Sequence, residues 1–281
     1  MDIQIQILQY LESIRTETLT LFMTVITMMA ETLFISSILA TLYWCIDKEK
    51  SKRLVWMIFC STGVNGLVKN IIKMPRPFQV GVVSPIRVQT ATSYSFPSGH
   101  TQSATSFWGS SMIILKSKPV VIVGCIMVGL TALSRLYLGV HWPMDVLGGI
   151  LFGIASIFVA DKLINEKGEI GKWHVLGTSI AVIIVLIFDV DKDLYKAIAS
   201  LWGFAIGAYV EQKYIQFQPI QPKIVQVKKF VIGILGIIVF YMGLKQLLPS
   251  GKMFDMIRYM ATVFWIVAGA PYCFKRFIKV K

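Results

Sequence analysis

The sequence predicts an all-α, polytopic membrane helix bundle, and three observations carry that reading. Residues are 55% hydrophobic and only 15% charged, with mean hydropathy +0.66, where a soluble domain carries roughly a quarter charged residues. The apolar residues gather in runs near the ~20 residues that a helix needs to cross about 30 Å of hydrocarbon. No polar linker divides the 281 residues into soluble domains.

Taken in order, residues 3–15 are too short to cross. Ile3, Ile7, Leu11 and Ile14 recur at helical spacing with Leu8 beside them, while Gln4, Gln6, Gln9, Glu12 and Ser13 face elsewhere. That pattern predicts an amphipathic helix lying in the interface. Nine candidate spans follow, at about 19–46, 53–73, 101–117, 119–138, 144–163, 173–189, 194–212, 228–248 and 254–275. The first is long and is expected to tilt or to extend into solvent. The third and sixth are short. Pro119, Pro143, Pro249 and Pro271 are expected at or near helix edges.

No cleavable signal peptide is evident, because the N-terminus lacks a basic n-region and the first apolar run exceeds an h-region. The four cysteines, Cys45, Cys60, Cys125 and Cys273, show no C-x-x-C spacing. They read as small buried hydrophobes rather than disulfides or zinc ligands. A net charge of +13 would suggest nucleic acid for a soluble protein. Here the basic residues flank apolar spans, so membrane lipids, and not nucleic acid, are the expected partners.

With nine spans and the N-terminus outside, the inner segments are 47–53, 116–118, 161–172, 211–229 and the tail from Lys275. They hold most of the 28 Lys and Arg, so the positive-inside rule favours a cytoplasmic C-terminus. Loops 74–100 and 139–143 then share the non-cytoplasmic face.

Those loops carry the chemistry. From Lys50 to Met144 there is no carboxylate. Within and after that stretch come Lys69-x6-Arg76-Pro77, then Pro97-Ser98-Gly99-His100, then Ser134-Arg135-x5-His141-x3-Asp145. Cations with serine, glycine, two histidines and one aspartate suit an anion such as phosphate, and not Mg²⁺ or Ca²⁺, which need several oxygen ligands. Pro75 and Pro77 bracket Arg76 in an extended conformation. Ser98 is placed to cap the following helix, whose N-terminus is an anion site, and Gly99 permits close backbone approach. Arg135 suits bidentate phosphate recognition. Asp145, four residues after His141, can reach its ring, fix the tautomer and sharpen the other nitrogen as a nucleophile. His174, outside the motifs, reads as a structural residue at a span edge.

The three motifs, over residues 69–145, resemble the signature of the type-2 phosphatidic-acid phosphatase (lipid phosphate phosphatase) superfamily. The resemblance implies a metal-independent, cofactor-free phosphatase. By it, His141 attacks phosphorus, Asp145 orients His141, and His100 protonates the leaving alcohol. Lys69, Arg76, Ser98, the Gly99 backbone and Arg135 hold the phosphoryl oxygens. Residues 1–165 would form the phosphatase core and 166–281 about four additional transmembrane helices, structural or serving homo-oligomer packing. The nine-span layout is also similar to the glucose-6-phosphatase branch, and extra spans occur among sphingosine-phosphate phosphatases. The implied substrate is a lipid phosphate or pyrophosphate ester. The same residues admit a lipid phosphotransferase, and a lipid-binding or transport protein is the non-enzymatic alternative. Vanadium haloperoxidases share the constellation but are soluble.

Three further features stand apart. Glu31, mid-span, is expected either to meet a basic residue such as Lys69 or, the favoured reading, to sit protonated inside the bundle. Asp189, Asp191 and Asp193 read as a solvated turn. Loop 78–97, with Arg87, Tyr94 and Phe96, is a candidate lid.

Overall fold

The computed structural model describes residues 2–278, and among them there are helices and turns but no strand. Chain contacts divide it into two compact units. The first holds the residues through Ser36 together with Cys60–Ala160, and the second holds Ser37–Phe59 with the described residues from Asp161 onward.

Helix α1 (Asp2–Ser13) is the expected amphipathic segment. Its inner side is narrow. Leu8 is buried with Val83 and Trp142, Gln4 accepts from the Met144 amide (3.1 Å) and Glu12 from the Ser84 amide (2.8 Å). Ile3, Ile7, Tyr10 and Ile14 are exposed, so the apolar stripe faces outward. Arg15 then donates to the carbonyls of Tyr137 and Ser84.

The expected single span over 19–46 is two helices, α2 (Glu17–Met28) and α3 (Thr32–Cys45), bent by 46°. Hydropathy is continuous through the break, so composition does not reveal it. The polar side chains explain it: Thr27 and Glu31 are both drawn to arginines. The Glu31 amide closes α2 on the Met28 carbonyl, and its own carbonyl opens α3 by accepting from the Ile35 amide.

Helix α4 (Lys48–Ile72) follows, then two short 3₁₀ turns at Pro77–Val80 and Val88–Thr90, then α5 (Gly99–Leu115), α6 (Lys118–Tyr137) and α7 (Pro143–Lys162). In the first unit α5 is polar inside. Gln102 donates to the Ser61 carbonyl and hydroxyl and accepts from Asn65. This seam ties α5 to α4 with satisfied hydrogen bonds, which burial of such groups demands. Glycines on α7 bring α5 close. A Cβ on Gly149 would lie 2.8 Å from the Ser98 carbonyl oxygen.

The second unit contains α8 (Lys172–Ile187), α9 (Lys192–Val210), α10 (Lys223–Ile238), α11 (Leu244–Leu247), α12 (Lys252–Phe264) and α13 (Ala270–Phe277), with single π-helical stretches at Glu211–Ile215, Val239–Gly243 and Trp265–Gly269. Small residues let helices approach here, as in membrane bundles: a Cβ on Gly203 would meet the Met260 backbone at 2.4 Å. Ion pairs Lys48–Glu211 (2.9 Å) and Arg53–Asp161 (2.6 Å) lie at its polar end.

Among the described residues five helical runs are long and apolar enough to cross a membrane: Lys48–Val80, Lys118–Tyr137, Pro143–Lys162, Lys223–Leu247 and Lys252–Phe277, with the α2–α3 pair as a sixth. The other three expected spans are helical but do not meet that standard. At about 1.5 Å per residue, α8, with 16 residues, falls short of the hydrocarbon thickness, and α5 carries a polar face. Pro271 stands at the start of α13, as expected, although the last apolar run continues through it from α12. The preceding π-stretch absorbs it, with the Ala270 amide bonded back to the Trp265 carbonyl.

The other expectations fare variously. Asp191 caps α9 by accepting from the Asp193 amide, so the acidic run is a helix start. His174 accepts from the Gly171 amide and donates to the Leu163 carbonyl, a structural role. The cysteines are free but not buried: three are half-buried and Cys125 is exposed.

The close approach at Gly149 predicts an inverted pair of substitutions. Helix propensity alone makes Gly→Ala stabilising by about 0.5–1 kcal/mol. Gly129→Ala in α6, with open space around it, should hold or raise the thermal midpoint in detergent. Gly149→Ala should lower it by several degrees through overpacking of about 1–3 kcal/mol.

Candidate active site

All the motif residues singled out from the sequence lie in the first unit, and the unit brings them together. Asp145, at the start of α7, is the joint. Its Oδ2 accepts from the Trp142 amide (2.7 Å) and the Ser95 hydroxyl, and it faces His141 Nδ1 at 3.2 Å. Its backbone carbonyl accepts from the Ser98 amide (2.9 Å). One residue therefore fixes the His141 ring, the loop before α5 and the α5 N-terminus.

The tautomer of His141 follows from its neighbours. Arg76 NH1 lies 3.1 Å from Nε2, and a guanidinium can only donate. Nε2 must therefore carry the lone pair, and Nδ1–H donates to Asp145. His141 sits in the turn between α6 and α7 and is buried. Burial, followed by the cations Arg76, Arg135 and Lys69, pushes its pKa well below the ordinary histidine range. The ring is a neutral imidazole.

Arg76 and Lys69 are buried as well. Both are solvated by the loop that the sequence marked as a lid. Arg76 donates to the carbonyls of Ser93 (2.8 Å), Val140 (2.8 Å) and Tyr94 (3.3 Å). Lys69 donates to the Tyr94 carbonyl (2.7 Å) and the Ser93 hydroxyl (3.0 Å). These acceptors are neutral, and Arg76 and Lys69 also act electrostatically on Asp145. Ser98 caps α5 as expected, its hydroxyl accepting from the Thr101 amide and hydroxyl. Its own proton stays free to donate, and Gly99 opens the first turn beside it.

Arg135, at the end of α6, is fully buried. Its NH1 donates to Thr27 of α2 (2.8 Å), but among the described residues Nε and NH2 have no hydrogen-bond partner, and neither has His100 Nε2. A buried guanidinium with two idle donors is costly. Donors left in this way fit an oxyanion as the missing partner. Among the described residues no group of three or more His, Cys, Asp or Glu is gathered as a metal site.

Sequence reasoning missed Ser95 and the carbonyls of Ser93, Tyr94 and Val140. Ser95 had a signal, since it lies just before the Pro97–His100 motif in a run of small polar residues. Glu31 was singled out, but its partner is not Lys69. It pairs with Arg87 (2.8 Å) and approaches His100 (3.9 Å), so it is not a protonated acid isolated within the bundle.

Helices long enough to cross a bilayer, and a buried histidine–aspartate pair ringed by cations, define a multi-pass integral membrane protein with an oxyanion-type centre. Residues 51–169 match the PAP2 superfamily, and residues 195–281 match the PAP2 superfamily phosphatase transmembrane extension. The chain thus carries a PAP2 superfamily domain and a PAP2 transmembrane extension. It is 29% identical over 138 residues to sphingosine-1-phosphate phosphatase 2 of Mus musculus, covering 47% of this chain and 38% of that one. It is 37% identical over 104 residues to undecaprenyl-diphosphatase of Sulfolobus acidocaldarius, covering 37% and 50%. The chain thus spans half or less of the length of these relatives. A PAP2-type phosphatidylglycerolphosphate phosphatase of Bacillus subtilis, known from its crystal structure, shares the fold with TM-score 0.50 and 24% identity, over 58% of this chain and 84% of that one.

With ¹⁵N-histidine labelling, the three histidines are few enough to assign by substitution. His141 should show the Nδ1–H tautomer and remain neutral from pH 8 down to pH 6, whereas a free imidazole half-protonates near about 6.5. Asp145→Asn should mix the tautomers. An Nε2–H signal in the unsubstituted protein would contradict the assignment.

Proposed function

We propose that the chain is a membrane phosphatase that hydrolyses a lipid phosphate or pyrophosphate ester through a phosphohistidine. The observation that carries this is the pairing of a lone pair with idle donors. His141 Nε2 is unprotonated, and the same unit buries Arg135 Nε, Arg135 NH2 and His100 Nε2 without hydrogen-bond partners among the described residues.

In the first step His141 Nε2 forms a bond to phosphorus as the ester P–O bond breaks. His100 gives its proton to the departing oxygen. The Nδ1–H of the resulting phosphoimidazole stays on Asp145, which offsets the developing positive charge. The phosphoryl oxygens take donors from Arg135, Ser98, Lys69, Arg76 and the Gly99 amide. Charge grows on those oxygens in the transition state, and donors already in place stabilise it without reorganisation. In the second step water attacks phosphorus, the N–P bond breaks, and His100 takes back a proton.

The cations supply the charge that a metal would otherwise bring, so the reaction is assigned as metal-independent. The positive-inside bias supports a site on the non-cytoplasmic face, with the C-terminus in the cytoplasm. The relatives named above act, by their names, on a sphingoid phosphate, a polyprenyl diphosphate and a glycerophospholipid phosphate. A phosphoryl group on a lipid is what these share, and it is the substrate class proposed here. The proposed catalytic residues all fall within the first compact unit, the residues through Ser36 with Cys60–Ala160.

The test is phosphate release from a panel of lipid phosphates and diphosphates by purified protein. His141→Ala should lose activity on the order of 10³-fold or more, and His100→Ala roughly 10²- to 10⁴-fold. Quenched ³²P-labelled substrate should leave acid-labile, base-stable label on the protein, absent from His141→Ala. Activity should persist in EDTA. Turnover unchanged in His141→Ala, or abolished by chelator and restored by Mg²⁺, would overturn the proposal.

A further inference from the structure

Resting on that reading, we propose that Glu31 is a positioning residue for the acid step, holding the leaving-group proton on His100. Glu31 belongs to none of the three motifs. It is delivered by the α2–α3 break, one helical turn after Thr27, and the two residues serve adjacent groups. Thr27 holds Arg135, and the Glu31 carboxylate stands 3.9 Å from His100 Nε2.

The electrostatic setting gives that carboxylate its role. His100 begins α5, where the helix end is itself positive, and Arg135, Lys69 and His141 face the same region. Burial first, then Arg135 and Lys69, and the helix end, favour loss of a proton from His100. Glu31 is the carboxylate that approaches its Nε2, and it favours the imidazolium. Arg87, in a left-handed backbone conformation (φ 60°), donates to the same Oε1 at 2.8 Å and keeps the carboxylate ionised and aimed. Arg135 faces Glu31 as well. At 3.9 Å the Glu31–His100 contact is an ion pair and not a hydrogen bond, so Nε2–H remains available to the departing ester oxygen. That oxygen leaves with the proton and its bonding electron pair, and the water that cleaves the phosphohistidine restores the proton to His100 beside Glu31.

A group that only supports the fold would affect every substrate alike. A group that maintains the general acid matters most where the leaving group needs a proton. The experiment compares an alkyl lipid phosphate with p-nitrophenyl phosphate, whose leaving group departs as a stable anion. kcat/KM is measured from pH 5 to 9 for the wild type, Glu31→Gln, His100→Ala and the double variant, with His141→Ala alongside.

Glu31→Gln should lower the alkyl rate near neutral pH by roughly tenfold, corresponding to about one unit in the alkaline limb, which should move to lower pH. The aryl rate should fall several-fold less. The double variant should match His100→Ala, because both changes act through one proton. Equal losses on both substrates, an unmoved alkaline limb, or additive losses in the double variant would overturn the role of Glu31 while leaving the phosphatase reading intact. An active His141→Ala would overturn that reading, and this inference with it.

Discussion

Buried positive charge, held in large part on neutral backbone carbonyls, governs the first unit. Lys69, Arg76 and Arg135 are all within a few per cent of complete burial. The groups that solvate Lys69 and Arg76 are mostly backbone carbonyls of Ser93, Tyr94 and Val140. Carbonyls satisfy donors without cancelling charge, so the site stays electropositive after its hydrogen bonds are made. Taking a charge out of water costs several kcal/mol even after relaxation. The loop between α4 and α5 lowers that cost, and its course follows from the need to present carbonyls to those two cations. An arrangement that retains so much positive potential is poorly optimised for stability and well suited to an incoming dianion.

Asp145 is the complementary constraint. It draws Ser95, Trp142 and His141 to one carboxylate oxygen and takes the Ser98 amide on its carbonyl. The second and third motifs therefore share a single anchor, and Arg76 joins the first motif to it through His141 Nε2. The glycines of α7 serve the same end, since close contact of Gly149 with the Ser98 carbonyl brings the α5 N-terminus to the histidine. The bend between α2 and α3 adds two groups from another element, Thr27 and Glu31. Both are explained by arginines that need acceptors.

Much of this was legible in the sequence. Lys69, Arg76, Ser98, His100, Arg135, His141 and Asp145 stand in motifs, and the long carboxylate-free stretch forecast their unbalanced charge. What was not legible has physical reasons. Tyr94 and Val140 contribute carbonyls, and every residue has one, so composition cannot mark them. The bend that delivers Thr27 and Glu31 lies in a continuous apolar run, and hydropathy measures how much a segment dislikes water, not where it bends. The same blindness hides the polar face of α5 and the shortness of α8. A π-stretch, invisible to pattern reasoning, lets the last helical run continue into Pro271.

The most direct test of the central claim is an experimental structure with orthovanadate bound, since vanadate adopts the five-coordinate geometry of a phosphoryl group in transit. The account predicts vanadium bonded to His141 Nε2, with its oxygens within hydrogen-bond distance of Arg135 Nε and NH2 and one apical oxygen facing His100. Vanadate bound away from His141, or an Arg135 guanidinium that leaves the anion untouched, would contradict it.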